Sequence, residues 1–208
     1  MEKKIKAVIW DMGGVILRTE DWNSRQDLAL SFDLSLRELH DLVFNSDSAK
    51  KATLGLIDNK THWLNVAETL GLSDTDLGDF QKRFWAGDRL DETLVGYIRK
   101  LKNTFTTGLL SNAWSDAREM LTNRRPCLDA FHYSIFSCEI GLAKPDLAIY
   151  EYILNRCGVE PFEAIFVDDA IENIEAANRL GMAGIHFINA DQAVAEVKRL
   201  LEQGRSGS

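Results

Sequence analysis

Ile5-Lys6-Ala7-Val8-Ile9-Trp10-Asp11-Met12-Gly13-Gly14 is the stretch from which the rest of the chain is read. A short apolar run with β-branched residues stops at a carboxylate and two glycines. This pattern reads as a buried strand running into a turn. Its basic start and apolar run mimic a signal peptide, but Asp11 interrupts the run and no small-residue cleavage site follows. Similar apolar runs recur at Thr107–Leu110, Tyr133–Phe136, Ala164–Val167 and Gly184–Phe187. Helical spacings fall among them. Leu94, Ile98 and Leu101 mark one helix. Ile149, Ile153 and Cys157 mark a second, stopped by Gly158. Ile171, Ile174, Ala177 and Leu180 mark a third, stopped by Gly181. Val194, Val197 and Leu201 mark the last. Strands alternating with helices predict an α/β fold, a parallel sheet with helices on both faces.

The segment from Arg18 to Arg89 has no convincing period-two pattern. It has spacings of three and four, as in Leu36–Leu39–Leu42–Val43 and in Leu64–Ala67–Leu70 before Gly71. It is too long for a loop and reads as three or four inserted helices. The expected organisation is a core of residues 1–17 and 90–203, a helical cap of residues 18–89 and a disordered tail of residues 204–208.

The chain has 208 residues, enough for one sizeable core plus an insert. With 24 Lys and Arg against 32 Asp and Glu, its formal charge is −8, which argues against a nucleic-acid partner. No stretch reaches the ~18 apolar residues of a membrane span, so no membrane partner is expected. Three cysteines, Cys127, Cys138 and Cys157, form no CxxC motif. They read as small buried hydrophobes in a reducing, cytoplasmic setting. A monomer is favoured, although no residue pattern sets the oligomeric state.

In an open α/β sheet, ligands sit beyond the carboxyl ends of the strands. The polar residues there are Asp11, Ser111-Asn112 and Asp168-Asp169, with Lys144 in the loop Gly141–Asp146. Three carboxylates, a lysine and a hydroxyl on one edge suit phosphoryl chemistry. Carboxylates hold Mg2+, and the metal and lysine screen an incoming phosphate from Asp11. Asp11 could then attack and form an aspartyl-phosphate. Ser111 and the backbone N–H groups of the Gly13-Gly14 turn could bind phosphoryl oxygens. The bland reading of the same residues is capping and turn formation.

DMGGV at Asp11–Val15, LLSN at Leu109–Asn112, GLAKPD at Gly141–Asp146 and FVDDAIEN at Phe166–Asn173 resemble, in order, the four motifs of the haloacid dehalogenase-like hydrolase superfamily. The resemblance runs from Ile5 to about Leu201. It is nearest to the subgroup of bacterial α-glucose-1-phosphatase-like enzymes and the amino-terminal phosphatase domain of soluble epoxide hydrolases. The resemblance implies a Rossmann-like parallel sheet of order 5-4-1-2-3. It implies Asp11 as nucleophile and metal ligand, the Gly13 carbonyl as a second ligand, and Asp168 and Asp169 as the remaining Mg2+ ligands. Ser111 would bind the phosphoryl group and Lys144 would bridge nucleophile and phosphate. Gly14 and Asn112 would touch the substrate, a small phosphorylated metabolite such as a sugar phosphate.

One departure matters. Phosphatases of the superfamily usually carry a second Asp at position 13, as general acid and base. Here that residue is Gly13. Three readings follow. The substrate has a good leaving group; another residue, among Glu20, Asp21, His40 and His62, supplies the proton; or the reaction needs none, as in release of halide from a 2-haloacid. A catalytically silent, ligand- or partner-binding member is a further alternative. Trp22, Trp63 and Trp85 read as packing of the insert, and Trp114 as a residue bordering the site.

Overall fold

The structure is a computed structural model and describes residues 4–203. The expected tail, 204–208, lies outside the described residues. Strand β1 (Ala7–Trp10) is buried along its whole length, as a central parallel strand covered on both faces must be. The chain then makes β2 (Leu17–Thr19) and five helices: α1 (Asn23–Ser31), α2 (Leu36–Phe44), α3 (Asp47–Thr53), α4 (Asn59–Leu70) and α5 (Asp74–Phe84). It returns through β3 (Asp88–Leu90), which pairs antiparallel with β2. Alternation follows: α6 (Glu92–Leu101), β4 (Thr106–Ser111), the short α7 (Ala117–Glu119), β5 (Tyr133–Phe136), α8 (Ser137–Ile140) and α9 (Leu147–Cys157). The chain closes with β6 (Ala164–Asp168), α10 (Ile171–Leu180), β7 (Ala183–His186) and α11 (Ala190–Gln203).

The sheet order is β5-β4-β1-β6-β7, and every pairing is parallel. Counting its strands along the chain, this is the expected order 5-4-1-2-3. Alternation within β1 divides the core. Val8 and Trp10 join Leu94, Ile98 and Val197 on one face. Ala7 and Ile9 join Ile149, Ile153 and Ala177 on the other. Each large side chain buried in this way contributes roughly 1.5–3 kcal/mol of transfer free energy. The apolar run that mimics a signal peptide is therefore the centre of the sheet. Gly158 and Gly181 end α9 and α10 with left-handed φ of 66° and 101°, as their positions after the apolar spacing predict.

The insert differs from expectation in two ways. It holds five helices, and a two-stranded ribbon stands at its base. Each ribbon strand has three residues, too few to show alternation. Ser35, Ser46, Asp58 and Ser73 cap α2 to α5, each side chain accepting a backbone N–H. Of the three free cysteines only Cys127 is fully buried; Cys138 and Cys157 are half-buried. No helix among the described residues is long and apolar enough to cross a membrane.

Candidate active site

Register brings the carboxylates together. Trp10 of β1 pairs with Val167 of β6, and the Asp11 N–H donates to the Val167 carbonyl at 2.9 Å. Asp11 and Asp168 are each the next residue along, so they leave adjacent strands at one level. Parallel neighbours lie about 4.8 Å apart. Both follow residues of the α9 and α10 face, Ile9 and Phe166, by two positions and so point to that side. Asp169 completes the group: one carboxylate oxygen from each of the three residues lies within 4.8 Å of the others. Asp11 and Asp168 are buried and Asp169 is exposed.

Lys144 enters from the loop before α9. Its buried Nζ lies 2.7 Å from Asp11 Oδ1 and 2.6 Å from Asp168 Oδ2. The loop is held by Asn112, at the end of β4. Asn112 Oδ1 accepts the Lys144 N–H at 2.8 Å, and Asn112 Nδ2 donates to the Lys144 carbonyl at 2.9 Å. Asp168 is held in turn by Asn173, whose Nδ2 donates to both of its oxygens at 3.0 and 3.1 Å, and by the Ala170 N–H at 2.8 Å. Tyr150 Oη donates to the Asn173 carbonyl at 3.0 Å. Asn173 and Tyr150 carry no catalytic signature in the sequence; only the final Asn of FVDDAIEN hinted at the first.

Three carboxylates face one ammonium, a formal charge of −2 when all are ionised. Burial pushes the Asp11 carboxyl up to about 7; Lys144 opposes the shift and Asp168 adds to it. Burial alone would lower the Lys144 ammonium, but the Asp11 and Asp168 carboxylates outweigh it and hold it above its usual range. The excess of negative charge and the all-oxygen donor set fit a hard divalent cation. Asp11, Asp168 and Asp169 would hold it, with Mg2+ the natural match to this set.

The Gly13-Gly14 turn corrects one expectation. The Gly14 N–H donates to the Leu17 carbonyl at 2.9 Å, so it closes the turn and is not directed at a phosphate. Gly14 is needed for other reasons: its φ is +75°, and a Cβ there would collide with the Asp169 carboxylate. At Gly13 no atom lies within 4 Å of where a Cβ would stand, so a side chain there would meet open space. Ser111 is buried at the end of β4, and its hydroxyl makes only a 3.4 Å contact with the Asn112 carbonyl.

The surrogate acids fare differently. His62 is fully buried, with Nδ1 2.9 Å from Ser48 Oγ, and burial lowers its pKa. Burial and the charge of Arg25 lower that of His40, whose ring is tilted against Phe44 at 4.7 Å. Asp21 accepts the Asn23 N–H at 3.0 Å, and Glu20 lies 4.0 Å from Arg18. None of the four is joined to Asp11 or Lys144 by a contact among the described residues. Trp114 does not line the site as a free edge. It is buried in the aromatic core of the insert, with ring centroids 4.4 Å from His62, 5.7 Å from Phe44 and 5.9 Å from Trp63.

A doubly wound sheet with a carboxylate cluster and one lysine at its carboxyl edge defines an α/β protein whose charged site suits a divalent cation and phosphoryl chemistry. A family model, haloacid dehalogenase-like hydrolase, matches residues 5–181, and the chain belongs to that family. It is 27% identical over 197 residues to a sesquiterpene phosphatase of Aspergillus oryzae, covering 94% of this chain and 96% of that one. It is 25% identical over 199 residues to a D-ribitol-5-phosphate phosphatase of Bacteroides thetaiotaomicron, covering 85% and 89%. Its fold matches the crystal structure of a family enzyme of Bacteroides thetaiotaomicron in complex with magnesium and inorganic phosphate. The TM-score is 0.69 at 20% identity, over 87% of this chain and 93% of that one.

Proposed function

We propose that this protein is a Mg2+-dependent phosphatase of a small phosphorylated metabolite, working through a phosphoryl group carried on Asp11. The single observation that carries this reading is the charge imbalance at the sheet edge. Three carboxylates beside one lysine would repel a phosphate dianion unless a divalent cation joined them. When bound, Mg2+ supplies positive charge to the oxygens of the transferring group. Asp11, Asp168 and Asp169 would hold it, and the Gly13 carbonyl would add a further oxygen ligand.

An Asp11 oxygen attacks phosphorus as the bond to the leaving oxygen breaks. Water then attacks the aspartyl-phosphate and releases inorganic phosphate and the Asp11 carboxylate. Lys144 sits against the nucleophile and neutralises charge on the phosphoryl oxygens; Ser111 donates a hydrogen bond to one of them. Asn112 acts through Lys144 by fixing its backbone. Gly14 keeps the turn open for Asp169. Residues 18–89 form the cap over the core of residues 1–17 and 90–203 and limit which substrates enter. The names of the relatives support a phosphate monoester with a sugar-alcohol or isoprenoid leaving group.

Gly13 offers no proton to that group. General acid help contributes on the order of 10²–10⁴ in rate, so esters whose leaving groups are already acidic should turn over best. The test is a panel of alkyl, sugar-anomeric and aryl phosphates, with Mg2+ and with EDTA. Phosphate release that requires Mg2+ supports the reading. Mg2+-independent release of halide from 2-haloacids, with no phosphate release from any ester, would overturn it.

A further inference from the structure

A second cluster of charge lies outside the site described above. A cavity of about 270 Å³ opens beside the ribbon, lined by Asp88, Arg89, Leu90, Glu92, Arg124, Arg125 and Pro126. Three arginines meet there in a chain whose formal charge is −8. Among the described residues none of the three is in a salt bridge. Arg89 Nη1 donates to the carbonyls of Ala86 and Asp88, at 2.7 and 2.9 Å. Arg125 Nη1 is buried with no hydrogen-bond partner. That nitrogen is closed to solvent, so a ligand reaches Arg125 through its other N–H groups, and the planar fork matches phosphate geometry. Of the two acids, Asp88 is neutralised by Arg25 at 2.9 Å. Three guanidiniums therefore outnumber the two carboxylates left beside them, Glu92 in the lining and Asp116, whose charge acts on Arg124. Leu90 and Pro126 add an apolar wall.

From this we infer that the cavity is a second binding site, for the phosphate of a small organic phosphate, whose carbon skeleton rests on Leu90 and Pro126. Arg124 and Arg125 come from the π-helical turn and loop after α7, and Arg89 comes from β3. A ligand there bridges the core to the strand on which the chain returns from the insert.

The test is calorimetric titration of the full chain in EDTA, where the carboxylate edge repels phosphate. Inorganic phosphate and butyl phosphate are the probes. Saturable one-site binding is expected, with butyl phosphate several-fold tighter. Arg124→Gln/Arg125→Gln should weaken both by about tenfold or more, since one lost charge-assisted hydrogen bond is worth about 1.4 kcal/mol. The exposed Arg124→Gln alone guards against misfolding of the pair and should weaken binding less but measurably. Arg37→Gln, on α2 and beside Asp41 at 3.7 Å, should leave it unchanged. Absence of saturable binding, or equal affinity in Arg124→Gln/Arg125→Gln, overturns the site. Equal affinity for the two probes overturns the organic ligand. None of these outcomes depends on the reaction at Asp11.

Discussion

Two charge clusters in this molecule contrast with one another. At the base of the helical segment, Arg25 and Asp88 form a one-to-one pair at 2.9 Å. Arg25 Nε also donates to the Phe84 carbonyl at 2.8 Å, and its guanidinium lies over the rings of Trp22, Phe44, Phe84 and Trp85. That cluster is complete: charge is balanced, and Thr19 Oγ1 adds a hydrogen bond to Asp88. At the sheet edge, three carboxylates share one lysine. A balanced pair serves the fold and asks nothing of the solvent. An unbalanced cluster keeps its cost until something positive arrives, and that difference underlies the role proposed for the sheet edge.

The contrast can be broken in four places. The largest expected effect is at Asp11, the proposed nucleophile. Asp11→Asn should lower phosphatase turnover on the order of 10⁴-fold or more, while circular dichroism shows an intact fold. Retained turnover would mean that Asp11 does not carry the phosphoryl group. Arg25→Ala strands Asp88 and should cut unfolding stability in urea by about 3–5 kcal/mol. A loss below about 1 kcal/mol would show that the pair is not the structural counterpart proposed. Mg2+ at about a hundred times its dissociation constant should add about 2.7 kcal/mol and raise the melting temperature by about 5–10 °C. Sodium chloride of equal ionic strength should not match this; a match would reduce the sheet-edge cluster to ordinary screening. The smallest effect belongs to Asn112→Ala, which frees the Lys144 loop. kcat should fall about tenfold, on the order of 1–2 kcal/mol in barrier, with KM little changed. A raised KM at constant kcat would instead make Asn112 a substrate contact, as its place in the second motif suggests.

Positions along the chain already announced much of this. Short apolar runs ending in Asp11, Ser111 and Asp168 are legible because a parallel strand buried on both faces is apolar throughout and polar only where it emerges. Gly158 and Gly181 are legible because a helix end favours a left-handed residue. The ribbon β2–β3 was not legible, because three-residue strands carry no periodicity. Nor was the placement of Trp114: an aromatic residue two positions after Asn112 looks the same whether it borders a cleft or plugs a neighbouring core.

Residue order by itself determined which side chains stand at strand ends, and hence which could meet at one edge of the sheet. Tertiary structure alone decided that Asp11 and Asp168 share a level, through the pairing of Trp10 with Val167. It also decided that Asn112 grips the Lys144 backbone across 32 positions, that Trp114 enters the insert, and that Arg25 finds Asp88. The physical reason is range. Burial patterns and caps are local consequences of side-chain chemistry, whereas register and ion pairing depend on segments that only the folded chain brings into contact.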